Sequence, residues 1–246
     1  MGFAQESDGA RDAIKIEPYD GPPIYLPETE PPPPPREVRS RTLNEKYPDS
    51  DQTRFERRVQ QMSDDSVRSN GPFKEYYPDG TLYLSGAYDG GRPSGEWVYH
   101  HPNGTVAKTI AYEGGQPSGE VRVTNPEGKL VAVRVYEAGL RTGQWTRYAE
   151  DGEQKLAESS YKGGLPDGTS RAWWPNGQLR AENSFVAGKR NGVAREWSRL
   201  GEKRAEVTFV DGLRDGKATV WQRDGSVIEQ TYEAGKLIDR RQSKEG

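Results

Sequence analysis

Residues 95–118 read GEWVYHHPNGTVAKTIAYEGGQPS, and this 24-residue pattern recurs seven times between Gly71 and Asp239. Opening glycines stand at positions 71, 95, 119, 143, 168, 192 and 216, a step of 24 except for one step of 25 after Gly143. A second glycine (Gly80, Gly104, Gly128, Gly152, Gly177, Gly201, Gly225) usually follows Asp or Asn, as at Asp79, Asn103, Asp151, Asn176 and Asp224. Asx-Gly pairs tolerate the positive φ that a type I′ turn demands at both central residues, and they are the strongest short-range hairpin signal. A third glycine, often in Gly-Gly or Ala-Gly, marks the turn into the next repeat. The expectation is an all-β protein: seven β-hairpin repeats forming one extended, twisted antiparallel meander sheet.

Composition agrees with an array. Only 31% of the 246 residues are hydrophobic, too few for a thick two-layer core. Stacked repeats bury apolar positions against their neighbours and need little more than one layer. All six tryptophans lie inside the repeats. Residues 1–70 carry 10 Lys/Arg against 14 Asp/Glu, and the remainder 25 against 24, so the array is near neutral. That balance argues against nucleic acid as a partner, although Lys189, Arg190, Arg195 and Arg199 could still form a local basic patch. Zero cysteines exclude disulfides, thiolate catalysis and cysteine zinc sites. No apolar run approaches the roughly 20 residues of a membrane-spanning helix.

Ahead of the array, residues 1–35 are acidic and proline-rich, ending in Pro31–Pro35, and read as a disordered tether. Gly2-Phe3-Ala4-Gln5 resembles the end of a secretory signal peptide, which favours export to periplasm or cell envelope over the cytoplasm. Residues 36–70 read as a polar linker. Phe55, Val59 and Met62 fall at i, i+4 and i+7 behind Ser50 and Asp51, so a short capping helix is expected over 50–62. The array is placed at 71–239, and 240–246 is a charged tail.

Within the repeats, the second position after the opening Gly holds Phe73, Trp97, Val121, Trp145, Ser170, Ala194 and Ala218. The fifth holds Tyr76, His100, Thr124, Tyr148, Trp173, Trp197 and Trp221. These columns have opposite parity and should point to opposite faces. A third aromatic column, Tyr88 through Tyr232, ends the second strand and marks a buried face. Trp, Tyr and Arg dominate binding hot spots, so Tyr76, His100, Tyr148, Trp173, Trp197 and Trp221 are the candidate partner-binding residues. The alternative is that these aromatics only hold strands together.

No catalytic, cofactor or metal constellation is visible. His100 and His101 are adjacent on one strand and face opposite ways. Glu120, Glu182, Glu196 and Glu206 lie on strands without a recognisable acid/base partner, and no glycine-rich phosphate loop precedes a helix. The expectation is a protein that is not an enzyme and needs no cofactor.

The pattern Gly-x-Trp-x-x-Tyr-x-x-Asx-Gly, clearest in Gly95, Trp97, Asn103, Gly104, Val106 and Tyr112 and in Gly143, Trp145, Tyr148, Asp151 and Gly152, resembles the MORN-repeat superfamily. It resembles more closely the variant repeat of the YwqK-type family of bacterial toxin–antitoxin antitoxin components. Leu200, in place of Asx before Gly201, and the missing first-strand aromatics of repeat three depart from it. The resemblance implies a sheet used for binding, in scaffolding, dimerisation or attachment near membranes, and no catalysis. A protein partner is the leading expectation; a structural envelope spacer, or a glycan binder if exported, is the alternative.

Overall fold

The computed structural model describes residues 33–244. Eighteen strands follow one another: β1 (Glu37–Lys46), β2 (Thr53–Met62), β3 (Val67–Tyr76), β4 (Leu82–Asp89), β5 (Arg92–His100), β6 (Val106–Glu113), β7 (Gln116–Thr124), β8 (Leu130–Glu137), β9 (Leu140–Tyr148), β10 (Lys155–Lys162), β11 (Leu165–Trp173), β12 (Leu179–Val186), β13 (Lys189–Arg190), β14 (Gly192–Trp197), β15 (Lys203–Val210), β16 (Leu213–Trp221), β17 (Ser226–Glu233) and β18 (Lys236–Lys244). Each pairs antiparallel with its neighbours in sequence, with β13 and β14 forming one interrupted strand beside β12. The result is a single open meander sheet, all-β, with no helix among the described residues. Gly2–Gln5 and most of the expected tether lie outside the described residues; Pro33–Pro35 carry no regular secondary structure.

The helix expected over 50–62 is a strand. Phe55 and Val59 are four apart, a spacing that suits one helical face but is also an even step along a strand. As β2 residues they share a face: Phe55 stacks on Phe73 at 6.1 Å and Val59 is 2% exposed. The linker assigned to 36–70 is therefore a degenerate extra hairpin, β1–β2, that pairs with β3. The tail assigned to 240–246 mostly continues β18, paired to β17 as far as Lys244.

The turn assignment is also corrected. In Tyr77-Pro78-Asp79-Gly80, Gly80 N–H donates to the Tyr77 carbonyl (2.9 Å), and only the glycine has positive φ (88°). This is a type I turn followed by a bulge, with Pro78 at the position whose φ it fixes. A two-residue turn centred on Asp79-Gly80 would need an N–H from residue 78, which proline lacks. Asp79 instead accepts the Thr81 N–H at 2.8 Å, and that bond holds its carboxyl below the usual range. Positive φ at both central residues occurs at the other set of turns, as at Gly90 (54°) and Gly91 (87°) between paired Asp89 and Arg92.

Opening glycines sit in mid-strand, at bulges. Gly95 (φ 68°) accompanies a register skip between Ser85 and Ala87, and Trp97 lies flat on Gly86, where a Cβ would come 2.3 Å from the indole. Trp97 (4% exposed), Val121, Leu84 and Ala132 form the core of the first repeats. Rings continue the contact: Phe73–Trp97 at 5.7 Å, Tyr88–Trp97 at 5.0 Å, then Tyr136–Trp145 and Trp145–Tyr161, each at 5.2 Å.

Farther along, the chemistry changes. Ser170 and Ala194 replace the bulky ring, and arginines cover what rings remain, with Arg190 5.3 Å over Phe209 and Arg214 5.3 Å over Tyr232. Directly paired residues form an ion ladder across β10, β11, β12, β14 and β15: Glu158, Arg171, Glu182, Arg195 and Glu206. Its contacts run from 2.8 to 3.4 Å, with Lys155 and Lys203 closing the ends.

Candidate functional site

The fifth-position residues stand at the mouths of the type I turns, so they line one rim of the sheet. Each pairs with the first or second residue of the next strand: Tyr76 with Leu82, His100 with Val106, Tyr148 with Lys155, Trp173 with Leu179, Trp197 with Lys203 and Trp221 with Val227. All six are half-buried. Tyr76 and Trp221 are thirteen strands apart in chain order (β3 and β16), on the order of 60 Å measured across the sheet. No small ligand can engage the whole column. Burial, and then the Glu56 carboxylate, push the Tyr76 phenol up. His100 donates Nδ1–H to the Gly104 carbonyl at 3.2 Å, since a carbonyl only accepts. Trp173 does not line the groove described next.

Trp197 and Trp221 do come together. With Trp174 they line a groove of about 930 Å³ on repeats five to seven, edged by Arg180, Arg199 and Arg223. The Arg180 and Arg199 guanidiniums lie 5.5 and 5.1 Å from the Trp174 ring, and Lys203 Nζ lies 5.3 Å from the Trp221 ring. Glu196 and Arg204 also border the groove, Arg204 already bound to Glu202 at 2.7 Å.

A staple that recurs along the rim sets this geometry. The first residue of a turn reaches across to the next repeat's rim carbonyl: Tyr47 Oη to Tyr76 O (2.6 Å), Tyr77 Oη to His100 O (2.9 Å), His101 Nε2 to Thr124 O (2.8 Å) and Trp174 Nε1 to Trp197 O (3.1 Å). Turn asparagines add a second tie, Asn103 Nδ2 to Pro126 O and Asn176 Nδ2 to Arg199 O, both 2.7 Å. Trp174 and Asn176 thus fix the backbone of Trp197 and Arg199.

Trp174, Arg180 and Arg223 are not singled out by the sequence reading, and Arg199 appears there only in the basic patch. A signal for them exists at the turns. Pro78, Pro102, Pro126 and Pro175 open the turns of four repeats, whereas Arg199 and Arg223 hold that place in the last two. Leu200 replaces Asx and is 81% exposed, while Ser198 Oγ takes over the turn by accepting the Leu200 and Glu202 N–H groups. Asx is also missing at Glu127 and proline at Glu150 in earlier repeats, but only at the groove do two successive turns lose the proline, with Asx lost as well at Leu200. The basic patch read from sequence separates: Arg195 is bound by Glu182 and Glu206, Arg190 covers Phe209, and only Arg199 reaches the groove.

Residues 69–89 and 166–187 match the family model of the MORN repeat variant. Each matched segment takes in an opening-glycine bulge, a type I turn and the second strand of a hairpin, in repeats one and five. MORN repeats are generally associated with protein or membrane-lipid binding. No curated protein matches the chain. Among the described residues, no group of three or more His, Asp or Glu is placed to hold a metal ion.

Proposed function

We propose that the protein is a non-enzymatic binding module that holds another protein on the rim of its sheet, with Trp174, Trp197 and Trp221 as the principal contact surface. The observation that carries this reading is the loss of turn prolines and of Asx at Arg199, Leu200 and Arg223, beside the one place where three half-buried tryptophans line a common groove. Local rules broken where a concave aromatic surface forms favour a functional rather than a structural reason. Trp and Arg are also the side chains that dominate binding hot spots. The antitoxin role implied by the YwqK-type resemblance is one form of this reading, with a toxin protein in the groove.

The test is affinity capture from the native host with the full chain as bait, beside Trp197→Ala/Trp221→Ala, read by mass spectrometry. A protein retained by the parent and lost by the variant, with the circular dichroism of the two alike, supports the module. Equal capture by both would remove the groove from the function.

A further inference from the structure

We infer that the groove takes an acidic linear segment of its partner, a stretch with carboxylates spaced between apolar or proline residues; this deepens the proposed binding role and rests on it.

Charge is the first argument. Strand-borne Arg171 and Arg195 are both neutralised by the ion ladder, and Arg204 is held by Glu202. Arg180, Arg199 and Arg223 border the same groove and make no ion pair among the described residues. Unpaired cations also occur elsewhere on the strands, as at Lys108 and Arg134, but here three guanidiniums without an ion pair surround one concavity, and that is complementary to carboxylates, which they can bind through two parallel N–H donors.

Placement is the second. Arg199 lies over the Trp174 ring, whose indole N–H is committed to Trp197 O, so ring and guanidinium form a layered edge. Trp197 and Trp221, lining the same groove, offer apolar surface to proline or aliphatic side chains while the cation holds the neighbouring acid. Leu200, 81% exposed at the tip of the same turn, adds an apolar contact between the two arginine-bearing turns. Arg199 and Arg223 occur one repeat apart in the same turn position. A segment lying across two hairpins, roughly 10 Å by the strand spacing, would meet both with acids about three residues apart when extended.

A peptide is favoured over single-stranded nucleic acid, although arginine with tryptophan could stack bases. Glu196 borders the groove, and the cationic groups form a local cluster and not the continuous track that a phosphate backbone follows.

The test uses the full chain and a short fluorescein-labelled peptide of repeated Glu-Leu-Pro units, which spaces its acids three residues apart, its glutamine counterpart, and a short oligothymidylate, read by fluorescence anisotropy. The glutamate peptide should bind at least about tenfold more tightly than the glutamine peptide, more weakly as salt is raised, and about tenfold more weakly to Arg199→Gln/Arg223→Gln. Those arginines are solvent-facing, so the variant should keep the parent's thermal midpoint. Equal binding of the two peptides, no binding of either, binding indifferent to the arginine substitutions, or tighter binding of the oligothymidylate would each overturn the inference. Host-protein capture that still depends on Trp197 and Trp221 while the acidic peptide fails would leave the binding module standing and remove only its acidic partner.

Discussion

Repeats one to four and repeats five to seven share a backbone and differ in what lies on it. The early repeats bury rings: Phe73, Trp97 and Tyr88 form one cluster and Tyr136, Trp145 and Tyr161 another, with both indole N–H groups donated to backbone carbonyls at 3.1 and 3.0 Å. In the late repeats Ser170, Ala194 and Ala218 replace the rings of the first-strand column, leaving Phe209 and Tyr232 as buried rings, charge pairs take over on the strands, and the tryptophans have moved to the rim. A tryptophan in the buried column stabilises; one at the rim is available. The same residue type thus divides a half in which it is buried from the half proposed to bind.

The largest effect that would break this division is Trp97→Ala. Removing a 4% exposed indole from the ring cluster should cost about 3–5 kcal/mol, whereas Trp197→Ala should cost under about 2 kcal/mol. Denaturant unfolding with hydrogen exchange resolved by region checks both, since repeat arrays need not unfold in one step. Comparable losses would mean that the rim tryptophans are structural. Next, Gly86→Ala forces a methyl into the Trp97 ring and should cost about 1–3 kcal/mol, with a loss of near-ultraviolet dichroism, while the equally small step Gly104→Ala meets no neighbouring atom and strains only its φ of 84°.

The halves should also fail at opposite ends of the pH scale. Burial pushes the Tyr99 phenol up to about 12 and also raises Tyr77 and Tyr88. A raised acid favours the folded state below its unfolded value near 10, and that stability is lost as pH rises towards 12. Glu206 runs the other way: Lys203, and then Arg195, hold it below 4.5, so its contribution is full above that value and is lost as pH falls through the lowered one. Tyr99→Phe should therefore flatten the fall in thermal midpoint on the alkaline side. Glu206→Gln should flatten it on the acid side, and each should leave the opposite side as in the parent. The smallest effect concerns the tight turns, where Ala138, Ala187 and Ala234 hold φ of 46–47°. Left-handed alanine costs about 1–2 kcal/mol, partly offset by the unfolded-state freedom of glycine, so each Ala→Gly should stabilise by about 0.5 kcal/mol. Destabilisation would show that the methyl has contacts outweighing the strain.

How far the sequence led follows from what repeats. Glycine spacing and the Asx-Gly pairs determine hairpins and a meander, because such backbone positions admit few residues. The turn geometry is not legible in the Asx-Gly pair, which serves both turn types; the missing N–H of Pro78 decides it where proline is present, and the turns at Glu150 and Arg223 take the same geometry without it. β1–β2 escaped because its turn, Tyr47-Pro48-Asp49-Ser50, lacks the glycine, although Tyr47-Pro48-Asp49 repeats Tyr77-Pro78-Asp79 and makes the same staple. Of the rim residues, Trp197 and Trp221 share a groove while Tyr76, His100, Tyr148 and Trp173 do not line it. Its other components come from the adjacent column and from the turns, and cross-strand register, which no single repeat reveals, brings them together.

The most direct test restores in the late turns what the early ones have: Arg199→Pro, Leu200→Asn and Arg223→Pro. None of the three side chains makes a hydrogen bond among the described residues, and proline suits that turn position. The variant should fold at least as stably as the parent and lose the host protein captured by the parent. Undiminished capture by a folded variant would contradict a binding site at the groove.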